Sequence, residues 1–191
     1  MKHQLKNLTS LHSGYTFRKK LVGDPNGDTH VIQFRDAENF ERINPATPLK
    51  IDGSGMPKQH FLTNRDVIFL AKGQYNYAIP YLNEFSKAVA TSTFVVLRLK
   101  NEHLNPAYLA WYLNQPPAQN FLKTRTAGTY VQNITKKDLG ELEIPVPNPE
   151  MQNSIVTIHN LQRKYDKLSE ELRDKQQKIT QQQLLNTLKT S

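Results

Sequence analysis

The chain has 191 residues and a formal net charge of +8, from 25 Lys and Arg against 17 Asp and Glu. Hydrophobic residues make up 37%, and 8 Phe and 8 Tyr need burial, so the length suits one folded domain with or without an appendage and excludes disorder throughout. No stretch approaches the roughly 20 apolar residues that cross a bilayer, and without cysteine there is no disulfide framework, thiolate zinc site or cysteine nucleophile.

The N-terminus, Met1 to Leu8, lacks an apolar signal region, and a cytoplasmic setting is expected. The basic excess favours a polyanionic partner, most often nucleic acid. It sits mainly in residues 1–149, which carry 18 basic and 12 acidic side chains for a net +6. Residues 150–191 carry 7 and 5, a net +2.

In chain order, Val31-Ile-Gln-Phe34 is a short strand candidate. Asp66-Val-Ile-Phe-Leu-Ala71 is apolar enough for a buried strand, and Ser92-Thr-Phe-Val-Val-Leu-Arg-Leu99 is long and β-branched. Asn105-Pro106 opens a helix, with Asn as the cap and Pro at the first helical position. Tyr108, Leu109, Trp111, Tyr112 and Leu113 give it an apolar side until Pro116-Pro117 ends it. A second short helix is expected over Gln119 to Thr124, and Thr135-Lys-Lys-Asp138 has the spacing of a capping box. Leu142-Glu-Ile-Pro-Val146 reads as an edge strand because of its proline.

Beyond Pro149 neither Pro nor Gly occurs, and Gln, Lys, Glu and Leu dominate. Both helix breakers vanish together, which predicts one helix from 150 to about 188. Ile158, Leu161, Tyr165, Leu168 and Leu172 recur at steps of 3, 4, 3 and 4, the narrow seam of a coiled coil. Lys175 interrupts the seam, Ile179 restores it and Gln182 follows. Such a helix is too long to bury its stripe on one small domain, so its distal half calls for another helix, from a second copy or a partner. The expected architecture is α+β: a mixed domain over 1–149 and a long coiled-coil-type helix over 150–191.

No catalytic or metal-binding constellation stands out. The six histidines lie far apart without metal-ligand spacing. Gly53-Ser54-Gly55 lacks the flanks of a nucleophile elbow, no phosphate loop is present, and Gln115-Pro-Pro-Ala118 does not match the Asn-Pro-Pro-Tyr/Phe signature of methyltransferases. Asp36, Glu38 and Asp66 are explained by capping or solvation. No activity, cofactor or metal is expected.

Three stretches instead interleave cations with aromatic, amide and hydroxyl side chains. The first is Tyr15-Thr-Phe-Arg-Lys-Lys20, supplying Arg18, Lys19 and Lys20. The second follows the buried-looking strand and supplies Lys72, Gln74, Tyr75, Asn76 and Tyr77. The third supplies Lys123, Arg125, Thr126, Tyr130, Gln132 and Asn133. Arg, Lys, Gln and Asn read base edges, while Lys, Arg, Ser and Thr hold phosphates, so these residues form the candidate DNA face.

The order of motifs resembles the target recognition domain of specificity (S) subunits of type I restriction-modification systems. Ser92 to Leu99 resembles the family's strand, and Asn105-Pro-Ala-Tyr-Leu-Ala-Trp-Tyr-Leu113 its Tyr-Leu-x-Tyr-Leu helix. Gly128 to Ile134 resembles its glycine turn, Thr135 to Leu139 the next helix start, and Leu142-Glu-Ile-Pro-Val-Pro147 its Ile-Pro-Leu-Pro strand. Pro149-Glu-Met-Gln152 with Ile155 resembles the approach to the conserved helix. Leu8 to Phe17 and Leu62 to Ile68 are similar to the opening segments, although Arg65 stands where the family has glycine and Met151 where it commonly has glutamate.

Full-length specificity subunits alternate two recognition domains with two long helices, and this chain has one of each, like a half-subunit. The resemblance therefore implies a non-catalytic recognition subunit that binds double-stranded DNA. It implies an antiparallel homodimer through Ile158, Leu161, Tyr165, Leu168, Leu172 and Ile179. Two identical reading heads on a helical spacer would recognise a palindrome with unspecified central bases. A methyltransferase (M) subunit is the implied partner, with a restriction (R) subunit as a further candidate. The alternative is a protein-interaction adaptor whose degenerate domain does not read DNA.

Overall fold

The computed structural model describes residues 2–38, 42–73, 75–125 and 132–189. The protein is α+β and divides into two compact units, Met1–Gln152 and Asn153–Ser191. Gln152, the last residue of the first unit, has its side chain built into that unit.

The strands in chain order are β1 (Lys2–Gln4), β2 (Thr9–Ser13), β3 (Thr29–Ile32), β4 (Ala37–Glu38), β5 (Arg42–Ile43), β6 (Leu49–Ile51) and β7 (Asp66–Leu70). They continue as β8 (Lys72–Gly73), β9 (Ala78–Pro80), β10 (Ala88–Ala90), β11 (Phe94–Leu99), β12 (Gln132–Asn133) and β13 (Glu143–Pro145). The helices are α1 (Leu5–Leu8), α2 (Pro106–Leu113), α3 (Pro116–Arg125), α4 (Lys136–Glu141) and α5 (Pro149–Lys189).

An antiparallel sheet in the order β2-β11-β7-β9 forms the centre. Every residue of β7 is buried, so both faces of the sheet are covered, as its unbroken apolar run requires. One face sends Ile68, Leu70, Ile79, Phe94 and Val96 into a core shared with Ile32, Ala88 and Ala90. Those last three belong to a second sheet, β10-β3-β6, in which β10 and β3 run parallel. α2 packs on β7 and β9, burying Tyr108, Leu109 and Leu113.

The cross-strand pair Arg98↔Asp66 joins β11 to β7 through charge. Asp66 is fully buried; it accepts from Arg98 Nε at 2.9 Å, Arg98 Nη2 at 2.8 Å and the Thr63 backbone N–H at 2.8 Å. The same guanidinium donates to the Phe61 carbonyl at 2.8 Å. Solvation therefore does not account for Asp66; capping of the Thr63 N–H accounts for part of its role and the Arg98 pair for the rest, while Asp36 caps in the same way, accepting from the Gln33 N–H at 2.7 Å. Arg65, in the turn leading into β7, adopts no left-handed backbone; among the described non-glycine residues only Asn83 has a positive φ. A side chain at this glycine position is therefore unstrained.

Local boundaries follow the caps. Asn105 accepts from the backbone N–H groups of Ala107 and Tyr108 at the start of α2, and Thr135 from that of Asp138 at the start of α4. The strand expected at Val31–Phe34 is Thr29–Ile32, because Phe34 already begins a 3-10 turn. Pro116 and Pro117 do more than end α2: they open α3, three residues earlier than expected, since the first helical turn needs no proline N–H. Asn114 between the helices uses its amide like a strand residue, accepting from Ala78 N at 2.7 Å and donating to Ala78 O at 2.9 Å on edge strand β9.

Gln152 lies in the first turn of α5 and is fully buried. Its Oε1 accepts from Asn105 N at 2.8 Å, and its Nε2 donates to His103 O at 3.0 Å and Pro147 O at 2.8 Å. One side chain thus satisfies three backbone groups at the root of the helix. Gln152→Ala is expected to destabilise the first unit by about 2 kcal/mol, since buried backbone groups are left without partners. A urea titration followed by tryptophan fluorescence reads this, and a loss below about 0.5 kcal/mol would mean that water replaces the amide.

α5 has 41 residues. It spans about 61 Å at the standard rise. Its seam residues Ile158, Leu161, Tyr165, Leu168, Leu172 and Ile179 are 54–68% exposed. No described helix is long and apolar enough to cross a membrane.

Candidate nucleic-acid interface

The first basic stretch leaves the sheet at Gly14. Its N–H donates to Phe94 O at 3.0 Å, and a Cβ there would stand 2.1 Å from the Thr91 carbonyl oxygen, so the close approach requires glycine. Tyr15 N donates to Ala90 O at 2.7 Å, fixing the next residue as well. The Tyr15 ring then meets Phe17 edge-on at 4.8 Å and His60 at 5.2 Å. Arg18, Lys19 and Lys20 follow along an open groove of about 990 Å³ that Phe17 and His60 also line. All three cations are exposed, and among the described residues none has a carboxylate within 4.0 Å. The Lys87 ammonium, with Thr29 and the Gly53 N–H, holds the Asp28 carboxyl down at about 2. That acid is thereby engaged at the start of β3.

The second and third stretches meet. β8 and β12 pair antiparallel with Lys72 opposite Asn133, although about 60 residues of chain separate them. The ladder is anchored below: Ala71 N donates to Thr93 O at 3.0 Å, and Ile134 N to Ala71 O at 2.9 Å. Gly73 has φ +153°, a conformation that side chains disfavour. Lys72, Asn133 and Tyr75 are exposed on this support.

Two residues of the expected face turn inward. Asn76 is 8% exposed and donates from Nδ2 to Leu70 O at 2.9 Å, closing the loop between β7 and β9. Tyr77 is 5% exposed within the core, where burial pushes its hydroxyl up to about 12. Both are built into the framework rather than exposed on the expected face. The signal was available: Tyr77, Ile79 and Tyr81 alternate with period two, and all three belong to the core.

Lys123 and Arg125 end α3, both exposed. Arg125 lies 3.2 Å from Glu141 and stacks over the Phe121 ring at 4.9 Å, so its charge is partly engaged within the fold. Gln74, Thr126 and Tyr130 lie outside the described residues, as does the Gln132 side chain. The structure thus brings the second stretch onto the end of the third. Sequence reading missed His60 as the aromatic neighbour of Tyr15, because a lone histidine 45 residues away carries no local signal.

A family model described as the type I restriction modification DNA specificity domain matches residues 1–181. The chain belongs to that family.

A curated relative in sequence is the type I restriction enzyme MjaVIII specificity subunit of Methanocaldococcus jannaschii, 31% identical over 101 residues. The match covers 53% of this chain and 23% of that protein. The fold is shared with solved chains: the type I restriction-modification S subunit from M. genitalium has a TM-score of 0.54 at 19% identity, covering 84% of this chain and 38% of its own. The HsdS subunit from Thermoanaerobacter tengcongensis has a TM-score of 0.57 at 18% identity, covering 86% and 37%. A chain from a structure concerned with complex assembly and conformational transition of the type I R-M system reaches 0.63 at 18% identity, covering 88% and 39%. This specificity-domain chain therefore spans well under half the length of the relatives it matches.

Proposed function

We propose that this specificity-domain chain is a non-catalytic recognition module for double-stranded DNA in a cytoplasmic type I restriction-modification system. The carrying observation is the groove in which Arg18, Lys19 and Lys20 stand exposed beside Tyr15, Phe17 and His60, just past Gly14 and Tyr15, whose N–H groups are bonded to β11 and β10. Cations there hold phosphates and so set the register of the module on the duplex. Lys72, Tyr75, Lys123, Arg125 and Asn133 extend the face.

The exposed heptad seam of α5 pairs antiparallel with a second copy, giving two reading heads and a palindromic, bipartite site. The same assembly receives a methyltransferase (M) subunit and a restriction (R) subunit. In the adaptor reading the seam binds a different protein and the domain reads no DNA.

Replacing Arg18, Lys19 and Lys20 together with Gln is expected to flatten the log–log dependence of duplex affinity on salt by about 2.7, at roughly 0.9 per lost phosphate contact. Fluorescence anisotropy from about 50 to 200 mM salt measures the slope. A wild-type chain with no measurable duplex affinity at low salt, with or without a methyltransferase partner, sinks the DNA reading and leaves the adaptor.

A further inference from the structure

A second basic surface lies outside the three stretches. Lys6 on α1, Lys100 just past β11, and Lys136 and Lys137 on α4 line one open groove of about 470 Å³. Three distant parts of the chain supply these four lysines, all exposed. Packing brings them together. Gly140 is buried where α4 meets α1, and a Cβ on it would stand 3.3 Å from the Lys6 Cβ. Lys136 and Lys137 lie four and three residues before Gly140, so their face of α4 is the one beside Lys6. Lys100 N donates to Leu8 O at 3.0 Å, and its Nζ donates to Lys6 O at 2.9 Å.

Glu141 of α4 lines the same groove, but its carboxylate is engaged by Arg125 rather than by the lysines. Asp138 accepts from the Thr135 hydroxyl at 2.5 Å. Among the described residues, none of the four lysines has a carboxylate within 4.0 Å. Four lysines around one lining carboxylate that is itself paired with Arg125 leave the groove net positive, which favours an anionic partner. Among the described residues the only large apolar side chain lining the groove is Leu11, which offers little of the aromatic or aliphatic anchoring that makes protein hot spots. An open row of lysines suits a polymer that presents a phosphate charge about every 1.7 Å of duplex axis. Two residues separate Lys136 from Asn133, so the chain passes from the β8–β12 ladder into α4 within a short link.

We propose that Lys6, Lys100, Lys136 and Lys137 form a second clamp for the sugar-phosphate backbone of duplex DNA, holding it without reading its sequence. The proposal rests on the DNA reading above and assigns a separate surface to it. Its test is Lys136→Gln with Lys137→Gln in the full chain, with Lys100→Gln as an independent variant, each checked for an unchanged thermal melt. Anisotropy is read on two duplexes of unrelated sequence. The double variant is expected to lower the salt slope by about 1.8 and Lys100→Gln by about 0.9. Affinity should fall by the same factor on both duplexes, because phosphate contacts carry no base information. Wild-type slopes in both variants, while the Arg18–Lys20 variant lowers its own, overturn the clamp and leave the first groove standing. Failure of the wild-type chain to bind any duplex removes both. Unchanged duplex binding with lost retention of polyglutamate assigns the groove to an acidic protein and overturns the proposal.

Discussion

Asp66→Ala is expected to lower the unfolding free energy of the Met1–Gln152 unit by about 3 kcal/mol, the lower end of the range for a buried ion pair stripped of one partner. The carboxylate is completely buried and accepts three hydrogen bonds, two of them from Arg98 across the β7–β11 pairing. Removing it leaves the Arg98 guanidinium without its carboxylate, holding only the Phe61 carbonyl among the described residues. The Arg98 side chain keeps 30% exposure, so water recovers part of the loss. That exposure is why the lower figure applies. Asp66→Asn keeps the shape and an acceptor while removing the charge, and should cost about 2 kcal/mol. Urea unfolding of both variants measures the difference. Losses under about 1 kcal/mol in both would mean that the pair contributes little and that the apolar run of β7 alone holds the strand.

Leu168→Glu is expected to convert a dimer of this chain into monomers. In a two-fold antiparallel pair each substitution occurs twice. A seam leucine contributes about 2 kcal/mol on burial, so two lost leucines cost about 4 kcal/mol before the desolvation of glutamate is counted. That is about a thousandfold in dissociation constant. Leu168 is 54% exposed in the single chain, so the area is there to be buried. Sedimentation velocity across a concentration series reads the outcome, with Glu170→Lys as the control because Glu170 occupies the outward heptad position. A Leu168→Glu chain that still sediments as the wild-type dimer would place the interface elsewhere.

Much of the architecture is legible because it depends on short windows of chain. α5 follows from the simultaneous loss of Pro and Gly beyond Pro149. The starts of α2 and α4 follow from Asn105 and Thr135, whose side chains bond backbone groups two or three residues away. β7 and β11 follow from dense β-branched and aromatic runs. β2 was not legible: Thr-Ser-Leu-His-Ser is a strand only because β11 lies beside it.

The candidate site divides in the same way. Residue types named the stretches around Arg18, Lys72 and Arg125 as basic and amide-rich, since composition needs no fold. Which of those side chains reach solvent was decided by the sheet: Asn76 and Tyr77 turn inward, while Lys72 and Asn133 meet across a two-residue ladder. The Asp66–Arg98 pair and the groove from Lys6 to Lys137 are likewise invisible in any local window, being 32 residues of chain apart in the first case and closed by α1–α4 packing in the second. By itself the sequence determined the α+β class, the long helix and its apolar repeat, because propensity, capping and periodicity act within a few residues, while the order of its motifs carried the family resemblance. Only the tertiary structure decided which polar side chains support the frame and which cations share a surface, because burial and charge density depend on segments far apart in the chain.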